Sequence, residues 1–322
     1  MKSYTLRKRE QCKLGGKTSD AATTPATMEP LHKVTTEELP VLLQWTAQYL
    51  PDTCKIYGSI YEELNGRWQG PDYYTLGWPE ILAVGEGPVD GSKSKCAEFF
   101  NDTRHTCVYA PNPEHVEELL RRPEFLDWTK PILFHASDYD SAKIAEKVSN
   151  STGTKYNEFI LTEMMAAYPG TVKPRPVPDG FELRQLDPDR DAEYVASTWP
   201  LRRNHTVPYV YELLKSFPSL GIFARDGECA AFEVRTEYGT AAILYTRDTF
   251  RGRGLASCII SHTAQNFFQE NRPIVSSVLP QNTPAMDMHH KLGFKSIGKL
   301  CWFVHSMTPE TVLYYQDHGF KC

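Results

Sequence analysis

Apolar and polar residues alternate along this chain with two periods, and the switches between them outline its elements. Over 255–270 the apolar positions recur every three to four residues, placing Ala256, Ile259, Ile260, Ala264, Phe267 and Phe268 on one helical face. Just before it, three short runs rich in β-branched and aromatic residues (221–225, 230–236 and 241–246) are separated by the turn signals Asp226-Gly227 and Tyr238-Gly239. They predict an antiparallel meander. A strand over 181–186, a helix opened by Asp187-Pro188 and a helix from Thr206 precede the meander; a strand over 274–279, a helix over 283–292 and a strand over 294–304 complete the pattern.

The first half also alternates. Thr36, followed by Glu37 and Glu38, reads as the cap of a helix carrying Leu39, Leu42, Leu43 and Leu50. Aromatic and β-branched residues predict strands over 55–61, within 73–84 and over 106–109. Asn112-Pro113-Glu114 then opens a helix, 132–135 reads as a strand, and Asp138 or Asp140 caps a helix with Ala142, Ala145 and Val148 inward.

Between the halves, Pro174, Pro176 and Pro178 favour extended backbone. The expected organisation is therefore a flexible tail over 1–34, a first domain over 35–170, a linker over 171–180, a second domain over 181–306 and an extension over 307–322. With 322 residues, the chain is long enough for two cores. The fold class is α/β in the α+β sense, each domain a mixed, mostly antiparallel sheet flanked by helices.

A net charge of −5 gives no electrostatic footprint for nucleic acid, and no apolar run approaches the roughly 18 residues of a membrane span. The eight cysteines are scattered without a CxxC or ligand-spaced histidines, so neither a zinc site nor a disulfide framework is signalled and no metal is expected. Reduced thiols suit an intracellular, cytoplasmic protein; the alternative is mitochondrial, because the first 28 residues are basic and poor in acids.

The chemistry concentrates between 244 and 256. Leu244 and Thr246 end a strand; Arg251, Gly252, Arg253 and Gly254 form a tight basic turn; Leu255 and Ala256 open a helix. Small residues let backbone amides converge on an anion at a helix N-terminus, which suits a pyrophosphate. A merely solvated turn is the competing reading. Neither GxGxxG nor GKS/GKT is present, and the preceding strands are antiparallel, which disfavours Rossmann and P-loop sites.

Arg251-x-x-Gly254-x-Ala256 resembles the Arg/Gln-x-x-Gly-x-Gly/Ala signature of GNAT enzymes, and the stretch from Asn282 to Gly293-Phe294 resembles their second signature. Over about residues 35–305 the chain resembles the glycine N-acyltransferase family, through Lys55-Ile56-Tyr57-Gly58, Pro123 to Trp128, Leu186-Asp187-Pro188, Thr198-Trp199, Phe217-Pro218 and Phe250-Arg251. The resemblance implies tandem GNAT-like domains, the first without its own cofactor loop. It also implies transfer of an acyl group from acyl-CoA to the amine of glycine or another small amino acid, with coenzyme A as the acyl carrier. Other amine or protein acceptors, or acyl-CoA binding with weak turnover, remain alternatives.

His289 occupies the position where the family carries a tyrosine that protonates the departing thiolate, and imidazole can also supply a proton. Asn282 reads as the cap of its helix beside the cofactor. The family's general-base glutamate falls at Thr240, which cannot take up an amine proton; Glu233 and Glu237 nearby are the candidates to replace it.

Overall fold

The computed structural model describes residues 30–87, 96–100, 104–154, 156–199, 202 and 204–307. The expected tail lies outside the described residues as far as residue 29, and the extension does so after residue 307. The first half carries β1 (His32–Lys33), α1 (Leu39–Ala47), α2 (Cys54–Leu64), β2 (Tyr73–Leu76), β3 (Ala83–Glu86), α3 (Ala97–Phe100), β4 (Arg104–Thr106), β5 (Val108–Tyr109), α4 (Pro113–Leu120), β6 (Ile132–Asp138), α5 (Tyr139–Ser151) and β7 (Tyr156–Ala167). The second half carries β8 (Phe181–Gln185), α6 (Pro188–Thr198), α7 (Thr206–Ser216), β9 (Leu220–Ala224), β10 (Cys229–Arg235), β11 (Ala241–Thr246), α8 (Leu255–Gln269), β12 (Ile274–Val278), α9 (Thr283–Leu292) and β13 (Lys295–Ser306).

Helix starts follow the capping residues. Asn112, Asp138, Asp187 and Asn282 each accept a backbone N–H of the first turn of α4, α5, α6 and α9. Residues 32–34 already belong to the folded part: β1 pairs with β2, and the buried Val34 donates its amide to the Tyr73 carbonyl at 2.9 Å.

One expectation is corrected. The strand predicted over 55–61 is the helix α2. Its aromatic and β-branched content misleads, since Ile56 and Ile60, one helical turn apart, are both fully buried. Gly58 permits that packing: the Tyr238 carbonyl lies where a side chain would begin.

The described residues form two sheets, a four-stranded one in the order β1-β2-β3-β5 and a nine-stranded one in the order β4-β6-β13-β7-β12-β11-β10-β9-β8. The larger sheet runs through both halves, with β13 lying between β6 and β7, antiparallel to each. β12 joins the second half's meander to β7.

A buried ionic cluster fastens α2 to the second half. Glu62, fully buried, accepts from Arg235 of β10 and from Arg272, each at 2.6 Å, and from Arg67, while Glu270 accepts from Arg235 at 2.9 Å. Removing a carboxylate from such a cluster strands buried guanidinium charge. Glu62→Ala is therefore expected to cost about 3–5 kcal/mol in urea-monitored unfolding. Lys33→Ala, which breaks the exposed pair with Asp72, should cost under about 1 kcal/mol in the same measurement.

Candidate active site

The site begins where two parallel strands part. β11 and β12 are paired only through Ala241 and Ser276, so they diverge as they leave that point. A bulge in β11 coincides with the divergence: Val234 pairs with Ala242 and Phe232 with Tyr245, so Ile243 and Leu244 together face the single residue Glu233. Ile243 takes a left-handed φ of 49°, a strained conformation for a β-branched residue. Such a bulge takes backbone amides out of the ladder and leaves them for a ligand.

Beyond β11, a 3-10 turn over Asp248–Phe250 leads to Gly252 and Gly254, whose φ values of 76° and 79° are left-handed. A Cβ at either glycine would meet open space, so the turn is bare on its outer side. Gly254 is the cap of α8 and supplies no side chain; the first ladder bond is donated by Cys258 to the Gly254 carbonyl, at 3.0 Å. The amides of Leu255, Ala256 and Ser257 therefore precede the ladder and point outward at the positive end of a 15-residue helix. The arginines brace this turn rather than fill it. Arg251 reaches Asp248 at 2.8 Å and the Thr246 carbonyl at 3.3 Å, and Arg253 reaches the Thr249 carbonyl at 3.4 Å. The residues present fit a diphosphate: bare left-handed glycines, free helix-opening amides and two nearby cations.

The fork opens into a cavity of about 390 Å³. Of the residues singled out in the sequence, Glu233, Glu237, Leu244, Asn282 and His289 line it, whereas Thr246 and the segment 251–256 stand at the adjoining turn. Asn282 is committed to its helix, its Oδ1 accepting from the Ala285 amide at 3.2 Å.

Glu233 is 2% exposed, its Oε2 has no protein partner, and burial raises its pKa from 4.5 to about 7, with Thr263 beside it pulling weakly the other way. Glu237 is held differently. The Tyr209 hydroxyl donates to its Oε2 at 2.6 Å; burial raises its pKa, opposed by that hydrogen bond and by Lys55, itself buried in an ion pair with Glu86. Thr240, at the family's carboxylate position, closes the hairpin through Thr236 at 2.9 Å.

His289 is 3% exposed and its Nδ1 lies 2.8 Å from the Ala285 carbonyl, which can only accept. Nδ1 therefore carries the proton and Nε2, which has no protein partner, presents a lone pair. Burial lowers the His289 pKa, offset in part by the Ala285 carbonyl, so the ring rests neutral. Ser276 Oγ is a third buried atom on this wall without a partner.

Several lining residues carried no signal in the sequence. Tyr209 comes from α7, Ser276 from β12, His105 and His135 from β4 and β6, and Trp302 from β13. No motif announces them, because the packing of α7 and the pairing of strands distant in sequence bring them together.

A bulged strand parting from its parallel neighbour above a glycine turn and a helix N-terminus defines a GNAT fold. Residues 219–303 match the family model described as FR47-like protein. The chain is 23% identical to glycine N-acyltransferase of Rattus norvegicus, over 76% of this chain and 88% of that relative. Among solved structures it resembles a Drosophila protein at a TM-score of 0.73 and 16% identity, covering 86% of this chain and 98% of that one. It also resembles a provisionally assigned acetyltransferase of Pyrococcus horikoshii at 0.52 and 12%, covering 89% and 93%. The chain is thus similar to glycine N-acyltransferases and has the GNAT fold. Among the described residues no group of three or more His, Cys, Asp or Glu is placed to hold a metal, and no helix is long and apolar enough to cross a membrane.

Proposed function

We propose that the protein is an acyl-CoA-dependent N-acyltransferase that acylates the amine of glycine or another small amino acid. The observation that carries this reading is the cavity at the β11/β12 fork, which adjoins the diphosphate-fitting turn and has Glu233 and His289 in its wall with unpartnered atoms. The likeness to glycine N-acyltransferase over most of both chains supports the acceptor class.

In this reading the turn 251–256 takes the CoA diphosphate, and the bulged backbone near Ile243 donates to the thioester carbonyl, where negative charge develops during attack. An amine attacks only when neutral. Glu233, with its pKa near 7, accepts one proton from the acceptor's ammonium group. The nitrogen then adds to the thioester carbon, and its second proton passes to Nε2 of neutral His289. As the C–S bond breaks, the imidazolium returns that proton to the sulfur. The products are the amide, the CoA thiol and one proton left on Glu233 for release to solvent. Glu237, engaged by Tyr209, holds the hairpin tip and is the less available base.

The test is a panel of amines with acetyl-, benzoyl- and long-chain acyl-CoA, read as free thiol. Release that depends on an amino acid acceptor is expected; tight acyl-CoA binding without release against any amine would overturn the proposal. His289→Phe preserves the ring packed against Phe294 and should lower kcat about 10- to 100-fold while leaving acyl-CoA affinity within about 2-fold. Unchanged turnover in that variant would remove His289 from the proton path.

A further inference from the structure

We propose that His105 and His135, both supplied by the first half of the chain, hold the carboxylate of the amino acid acceptor. This rests on the acyltransferase reading above and adds the group that selects its substrate.

An amino acid enters the cavity as a zwitterion, and a carboxylate moved from water to a largely apolar wall is costly unless a charged or hydrogen-bonding partner meets it. Among the described residues lining the cavity there is no lysine or arginine; the side chains able to carry positive charge are His105, His135 and His289. His289 is excluded from this role, because its Nδ1 proton is committed to Ala285 and burial keeps the ring neutral. Threonine and serine hydroxyls on the wall can donate a hydrogen bond but cannot neutralise the charge.

His105 and His135 stand together. Their ring centroids are 5.3 Å apart and nearly perpendicular, on the paired strands β4 and β6. His135 also packs 5.1 Å from Tyr238, in the hairpin that ends at Ala241, and 5.9 Å from Trp302. Ala241 is the point where the fork is closed, so the histidine pair lies at the closed end of the fork. A substrate carboxylate there leaves the amine toward the thioester end. Two imidazoles suit the task, since a bound carboxylate raises the pKa of a nearby histidine and converts a neutral N–H donor into a charged one.

Glycine and glycinamide separate charge recognition from everything else, because the amide keeps the amine and the size but has no carboxylate. His105→Phe and His135→Phe keep an aromatic ring in each place and remove its N–H groups. With one acyl-CoA, each variant should raise KM for glycine by about 10-fold or more, with KM for acyl-CoA and kcat/KM for glycinamide changed less than about 2-fold. Loss of both acceptors in parallel, or an unchanged KM for glycine, would overturn the assignment. A wild-type enzyme that uses glycinamide well and glycine poorly would overturn it too, leaving the acyltransferase reading in place. A wild-type protein that acylates no amine at all would bring down both.

Discussion

Gly254→Glu is expected to abolish the proposed CoA binding while leaving the protein folded. Gly254 has a φ of 79° and caps α8 without a side chain, and a Cβ built on it meets no atom within 4 Å. A glutamate there has room for its side chain, and its fold cost is the left-handed backbone, about 1 kcal/mol for a non-glycine residue. Its effect on the ligand is far larger. The carboxylate stands among the helix-opening amides, where it both competes for their N–H groups and repels the diphosphate. A loss of at least about 100-fold in CoA affinity is expected by calorimetric titration, which is about 3 kcal/mol. Gly254→Ala is the control for backbone strain: it carries the same φ penalty without the charge, and should lose less than about 10-fold. Unchanged CoA affinity in a folded Gly254→Glu protein would remove the turn from the site.

The second half was legible in the sequence because its elements are local. The meander 220–246 carries its own turn signals, α8 its own apolar face, and α9 its own Asn282 cap, so period and punctuation sufficed. The turn over 251–256 was legible for the same reason: a strand, a glycine turn and a helix follow one another without interruption. What could not be read was assembled at long range. The strand β7 went unseen, since Asn157-Glu158-Phe159-Ile160-Leu161-Thr162-Glu163 and the Met-Met-Ala-Ala after it do not alternate, and its place between β12 and β13 depends on pairing with residues more than 100 positions away. α2 was read as a strand because its aromatic and β-branched residues outweighed the spacing of Ile56 and Ile60. His105 and His135 had no motif, and nothing in the sequence reported that Glu233 is buried while the neighbouring Glu228 is not.

That burial makes Glu233→Gln the second large effect, with opposite signs for activity and stability. As the acceptor of the ammonium proton, the carboxylate is active only when ionised, so kcat/KM in the wild type should rise as pH rises through about 7 and level off above it. The glutamine variant should lose about 100- to 1,000-fold in turnover, lose that ascending limb, and keep its affinity for acyl-CoA. Stability runs the other way. The folded pKa of about 7 lies above the ordinary 4.5, so the folded state binds this proton more tightly than the unfolded chain does. Ionising Glu233 therefore costs nothing below about pH 4.5, costs progressively more as pH rises toward 7, and costs its full amount above that. The gap between 4.5 and about 7 converts to about 3 kcal/mol. Glu233→Gln should accordingly raise Tm at pH 8 and leave it nearly unchanged at pH 5. A variant that is inactive and no more stable at pH 8 than at pH 5, relative to wild type, would show that Glu233 is not the strained buried acid this mechanism needs. A variant that keeps full turnover would pass the role of base to Glu237, whose contact with Tyr209 would then have to open during the reaction.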